Sequence, residues 1–163
     1  MQQLIPWLMF CLAVALVCLF WPNAARIFIG SFFIVMAVAV NMVVSAAAPA
    51  QFVKLGADAP LVPFYGWFFR TVVAAAPQAV GFLAASGEIA VGLLILNRGK
   101  RVRLGLICAI VFLLAITPMG IWTLPNPILA GGLALLLRKN FPSSALHVPP
   151  LPSHRPASRS RST

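Results

Sequence analysis

Only two residues in this chain carry a side-chain carboxylate, Asp58 and Glu88, and their settings differ. Asp58 lies in a stretch interrupted by Pro49, Pro60 and Pro63, whereas Glu88 is the one charge after Arg70 in the run from Thr71 to Leu96. Glu88 precedes Arg98 by ten positions, about 15 Å at helical rise and roughly half the hydrocarbon thickness of a bilayer. A charged, unpaired carboxyl at that depth is costly by several kcal/mol, so Glu88 is expected to be paired, held neutral or turned to a polar cavity. Proton transfer, ligand binding and contact with a quinone are the chemistries open to it. The plain alternative is a carboxylic acid hydrogen-bonded across a helix seam.

Partners for Glu88 are few. Counted from Arg26 and Arg103, Asn41 and Thr117 fall at similar depth in the same half of the membrane, as does Gln78. With Tyr65, Arg70 and Asn126 they form a candidate polar pocket opening outward above Glu88. Each also has a simpler role: Asn41 as a bond between helices, Thr117 bonding its own backbone before Pro118, Asn126 making a turn. Around Glu88, the residues Gly81, Ala84, Ala85 and Gly92 recur at spacings of three and four, a small-residue stripe that lets a second helix approach closely. Gly81, Ala85 and Gly92 are the expected packing positions.

Other chemistry is excluded by what the chain lacks. His147 and His154 lie only near the C-terminal end, so no pair on facing helices can hold a haem. Cys11, Cys18 and Cys108 contain no Cys-x-x-Cys; Cys11 and Cys18, seven apart, are expected to be small packing residues. Two acids build neither an all-carboxylate metal cage nor a two-carboxylate hydrolase. No phosphate loop, catalytic triad or metal spacing is present. No catalytic residue, metal or cofactor is therefore expected.

The elements that must position Glu88 follow from composition. Of 163 residues 61% are hydrophobic and 9% charged, far from the roughly 25% charged of a soluble domain, which excludes a soluble enzyme. Twelve Lys and Arg against two Asp and Glu give a net charge of +10, but the bases sit in short clusters between uncharged runs. That pattern marks membrane orientation and not nucleic acid. Five apolar segments are predicted, at about 4–21, 27–48, 71–96, 104–123 and 125–137. The last is short, yet a hairpin broken at Pro118, Gly120, Pro125 and Pro127 keeps the cluster 98–103 and the pair Arg138-Lys139 on one face. Ten of the twelve bases then lie on the cytoplasmic side, leaving Lys54 and Arg70 outside with the N-terminus. Met1 to Pro6 carries no positive charge, so the first segment is expected to be a retained helix and not a signal peptide.

Two further segments complete the reading. Phe64-Tyr65-Gly66-Trp67-Phe68-Phe69-Arg70 in the outer connection is expected to lie at headgroup level as an aromatic belt, with a lid over a cavity between helices as the sharper alternative. Residues 1–141 are expected to form the helical domain, and 142–163, rich in Pro, Ser and Arg, a disordered basic cytoplasmic tail able to touch anionic lipid.

The run Gly87-Glu88-Ile89-Ala90-Val91-Gly92-Leu93-Leu94-Ile95-Leu96, a short basic loop and then Arg103-Leu104-Gly105-Leu106 resembles the DoxX-like family of small membrane proteins. The resemblance covers about 26–137 and implies an all-α fold: four helices in a DoxX-like bundle within a polytopic protein of five membrane segments. Members of that family are linked to thiosulfate:quinone oxidoreduction, to redox-associated membrane complexes and to membrane-protein assembly. Glu88 and Gly92 are the positions that carry over. Arg26 opens its helix at the membrane edge here, where the family has a partner for the Glu, which argues against a redox role. The expected function is an accessory or assembly subunit packed against a larger membrane complex, surrounded by membrane lipids, in a bacterial inner membrane. The alternatives are a quinone-linked redox subunit using Glu88 and a small lipophile-binding or transport protein with a quinone or lipid ligand.

Overall fold

A computed structural model describes residues 4–146; the remainder of the expected tail, from 147 on, lies outside the described residues. Among the described residues every regular element is a helix. In chain order these are α1 (Leu4–Phe20), α2 (Pro22–Ala47), α3 (Pro49–Ala57), α4 (63–73), α5 (Pro77–Leu96), α6 (Lys100–Met119) and α7 (Ile121–Leu136). Proline sets four of the starts. Pro22, Pro49, Pro63 and Pro77 each stand in the first helical turn, where the missing N–H costs nothing and the fixed φ suits the helix. Among the described residues one has a positive φ, Gly99 at 59°, and it makes the turn between α5 and α6, a conformation that glycine adopts without steric cost.

α2, α5 and α6 span 26, 20 and 20 residues and are long and apolar enough to cross a bilayer, so the chain is a membrane protein. α1 and α7 are shorter apolar helices. α2 starts at Pro22, earlier than the expected 27, and α6 starts at Lys100, within the basic cluster. The expected segment 71–96 is two elements: Ala76, at φ −150°, ends one and Pro77 opens the other. The connection 49–70, expected as an outer loop, is helical in α3 and α4.

Five apolar helices pack as a closed ring in the order α1, α2, α5, α6, α7 and back to α1. The α2–α5 seam is set by glycine. A Cβ built at Gly92 would lie 2.6 Å from the Gly30 carbonyl oxygen, and one at Gly81 would collide with the Ser45 side chain. Gly81, Ala85 and Gly92 are all buried, so the small-residue stripe faces α2 of the same chain. Across the ring, a Cβ at Gly132 of α7 would lie 2.9 Å from the Ala15 Cα of α1, beside Cys18. Cys11 and Cys18 are fully buried there as packing groups with free thiols.

Hydrogen bonds gather the basic segments at one pole. Arg26 Nη1 donates to the carbonyls of Asn97 and Ser143, both at 3.2 Å, and its guanidinium lies 4.7 Å from the Phe141 ring centre. The Gly99 N–H donates to Phe141 O and the Ala145 N–H to Leu96 O, each at 2.9 Å. The first residues of the expected tail, 142–146, thus rest on the helix ends that carry Arg26, Arg98–Arg103 and Arg138-Lys139. The opposite pole is closed by α3, α4 and the turn 117–123, joined where the Leu61 N–H meets Pro118 O at 3.0 Å.

Candidate functional site

Toward the basic pole the ring is filled by Ala25, Ile29, Ile95, Leu106, Leu133 and Leu136, all buried. Toward the other pole the helices border a cavity of about 710 Å3. Every helix contributes to the wall: Trp7 and Phe10 from α1, Phe32, Phe33 and Asn41 from α2, Ala84 and Glu88 from α5, Phe112 and Leu113 from α6, Trp122 and Asn126 from α7. Phe52 and Leu55 of α3 and Phe68, Phe69 and Val73 of α4 complete it at the pole. Large rings meeting around a common axis cannot all reach it, and the space they leave is the cavity.

The aromatic segment of α4 therefore divides. Phe64 and Trp67 are exposed, as a belt requires, while Phe68 and Phe69 turn inward over the cavity, as a lid requires.

Glu88 is 6% exposed on the cavity wall, and its Oε2 accepts from Asn41 Nδ2 at 2.7 Å. The pairing satisfies one oxygen of the carboxyl in an apolar setting, where an unpartnered polar group costs more than in water. Asn41 lies in a π-wound stretch, Ala37–Val44, inside α2. π-turns widen the helix and free carbonyls; here Ser45 Oγ donates to Asn41 O and, at 3.2 Å, to Met42 O. A second π stretch, Phe69–Val73, borders the same cavity through Phe69 and Val73. Helix winding and cavity thus occur together.

The third expected polar residue on the wall is Asn126, 1% exposed, whose Oδ1 accepts from the Trp7 indole N–H at 2.9 Å. The other four are placed elsewhere. Thr117 Oγ1 donates to Leu113 O of its own helix at 2.8 Å, the usual recourse of a helical threonine in apolar surroundings. Gln78, in the first turn of α5, is exposed on the outside of the ring. The Tyr65 hydroxyl donates to Ala115 O, tying α4 to α6. Arg70 Nη1 donates to Ala57 O at 3.0 Å, tying α4 to α3. Each points to backbone carbonyls or away from the ring and not into a common pocket.

Two wall residues were not singled out from sequence. Trp7 carried a usable signal, an indole N–H in an apolar helix that must find an acceptor. Thr123, 1% exposed, closes the turn on itself: its hydroxyl donates to Thr117 O at 2.7 Å and accepts from the Gly120 N–H at 3.1 Å.

No group of His, Cys, Asp and Glu among the described residues is arranged to hold a metal. A smaller cleft of about 350 Å3 lies at the basic pole between 99–106 and 136–141, bordered by Lys100, Arg103, Arg138 and Lys139. The large cavity is the stronger site because it is the more spacious of the two and combines apolar walls with buried hydrogen-bonding side chains. No protein-family model matches the chain, and neither curated proteins nor solved structures give a significant match.

Proposed function

We propose that this membrane protein holds one small lipophilic molecule in the cavity between its helices, with the Asn41–Glu88 pair receiving a polar end. The observation that carries the reading is the cavity itself. Its volume of about 710 Å3 is within the range of roughly 300–1,000 Å3 typical of ligand pockets, and aromatic walls with a few convergent polar groups are their usual lining. The accessory-subunit reading drew on the small-residue stripe of α5, the aromatic outer connection and the lack of cofactor ligands; of these, the stripe is taken up by α2 of the same chain. A quinone is one lipophile of suitable chemistry, with Glu88 as proton acceptor; the Glu88→Gln variant would then lose quinone-dependent turnover.

All five helices of the ring cross the bilayer in this reading, with α2, α5, α6 and α7 as a DoxX-like four-helix bundle and α1 added to it. The convergence of Arg26, the 98–103 cluster and Arg138-Lys139 at one pole supports a cytoplasmic location for that pole and an N-terminus outside, in a bacterial inner membrane.

The test uses the purified chain in phosphatidylcholine nanodiscs, titrated with the fluorophore 2-ethyl-6-(dimethylamino)naphthalene. With the exposed Trp21 and Trp67 replaced by Phe, energy transfer from Trp7 and Trp122, which line the cavity, reads its occupancy. Saturation at one molecule per chain is expected. Uptake that rises without saturation, as in empty nanodiscs, would count against a binding cavity.

A further inference from the structure

One side chain on the cavity wall, Asn126, carries a fully buried hydrogen-bonding atom that the described residues do not satisfy. Asn126 is 1% exposed and its Nδ2 has no partner among the described residues. Which end of the amide is left free is fixed by chemistry. The Trp7 indole nitrogen can only donate, so it must face Oδ1, which it does at 2.9 Å, and Nδ2 is necessarily the remaining end. Thr123, the nearest polar residue in sequence on the same wall, has its hydroxyl engaged within its own turn. Asn41 already donates to Glu88 across the α2–α5 seam.

Buried donors in native proteins almost always have an acceptor, from protein, water or ligand. Here the unmet donor belongs to a side chain on the wall of an apolar cavity. The acceptor is also constrained in charge. No Lys or Arg lines the cavity: Arg26 donates to Asn97 O and Ser143 O, and Arg70 to Ala57 O. An anionic carboxylate would be buried without a counter-ion and beside Glu88. A neutral oxygen has no such penalty.

We infer that the molecule bound in this cavity is a neutral lipophile bearing a carbonyl-type oxygen, a ketone, ester or amide, that accepts a hydrogen bond from Asn126 Nδ2. The inference rests on the lipophile-binding reading of the cavity and adds the functional group by which the ligand is selected. Asn126 sets specificity, Trp7 orients its amide, and the aromatic rings hold the apolar body.

A matched pair of fluorophores separates the two claims. The ketone 6-propionyl-2-(dimethylamino)naphthalene and the carbonyl-free 2-ethyl-6-(dimethylamino)naphthalene are titrated into the full chain in phosphatidylcholine nanodiscs, with uptake by empty nanodiscs subtracted. The ketone is expected to bind about tenfold more tightly, a difference of ~1.4 kcal/mol. The preference persists in Trp7→Phe, which keeps Nδ2, and falls to a ratio near one in the double variant Trp7→Phe/Asn126→Leu. Removing both partners leaves neither one buried and unpaired, so the double variant is the gentler way to delete the donor. The emission of the bound ketone, which moves to longer wavelength when its oxygen accepts a hydrogen bond, should move back in the double variant. Should that variant fail to fold, the comparison of the two fluorophores on the unaltered chain still decides. Equal saturable binding of both would overturn the carbonyl inference and leave the cavity reading intact, with water as the occupant of the donor. Saturable binding of neither would overturn the cavity reading itself.

Discussion

The two halves of the helix ring are built from the same helices and do opposite things. Near the basic pole, α2 and α5 meet through Gly30 and Gly92, and the interior is filled by aliphatic side chains. Near the other pole the same two helices carry Asn41 and Glu88, α2 widens into a π-wound stretch, and aromatic rings stand around an empty centre. Small residues let backbones close on one another, whereas large flat ones hold them apart. The α2–α5 seam is close in both halves, since Gly81 meets Ser45 as Gly92 meets Gly30, and the container arises at the centre of the ring from the space the aromatic side chains leave.

The sharpest way to break this contrast is one substitution made in each half of α5. Gly92→Phe places a side chain against the Gly30 carbonyl and Ile34, where backbone must move. Overpacking of this kind costs about 3 kcal/mol or more, and the variant should lose its helical circular dichroism well below the melting temperature of the parent. Ala84→Phe adds a ring at a position that lines the cavity, and its melting temperature should stay close to that of the parent. Equal loss in both would show that the second half is not hollow.

A smaller effect is expected at the basic pole. Arg26→Leu removes two hydrogen bonds to carbonyls and the stacking on Phe141, about 2 kcal/mol in all, and should raise the hydrogen exchange of the Gly99 and Ala145 amides, whose acceptors lie in the same cluster. At the cavity, Glu88→Leu leaves the Asn41 amide without its acceptor and should cost about 1.5 kcal/mol in thermal unfolding, while Glu88→Gln keeps an acceptor oxygen and should cost less than half as much. The smallest changes belong to residues of similar depth that face elsewhere. Thr117→Val and Gln78→Ala should each stay within about 0.5 kcal/mol of the parent and leave fluorophore binding unaltered.

That last pair shows what the sequence makes legible. Counting residues from a charged anchor gives depth along a helix, so Glu88 is expected near mid-membrane and Asn41, Thr117 and Gln78 in the half beyond it, and the cost of leaving a buried carboxyl alone calls for a partner, which Asn41 supplies. Depth says nothing of the angle around the axis. Thr117 and Gln78 turn to their own backbone and to the outside, and Tyr65 and Arg70 bind carbonyls of neighbouring helices. The small-residue stripe identified a close helix contact but not the identity of the partner helix, which is α2 of the same chain. Pro77 marked a helix start that the unbroken apolar run from Thr71 concealed. The cavity was the least legible feature, because it arises from where seven helices fail to meet. No single segment contains it.

The account depends on the cavity being a place that a molecule occupies, and Ala84→Phe tests this directly once its stability is known. The carbonyl-free fluorophore is titrated into the parent chain and the variant in identical nanodiscs, with transfer from the cavity tryptophans as the signal. The account predicts saturable binding to the parent and at least a tenfold loss in a variant that melts at the same temperature, ~1.4 kcal/mol by the affinity scale. Binding to the filled variant as tight as to the parent would contradict it.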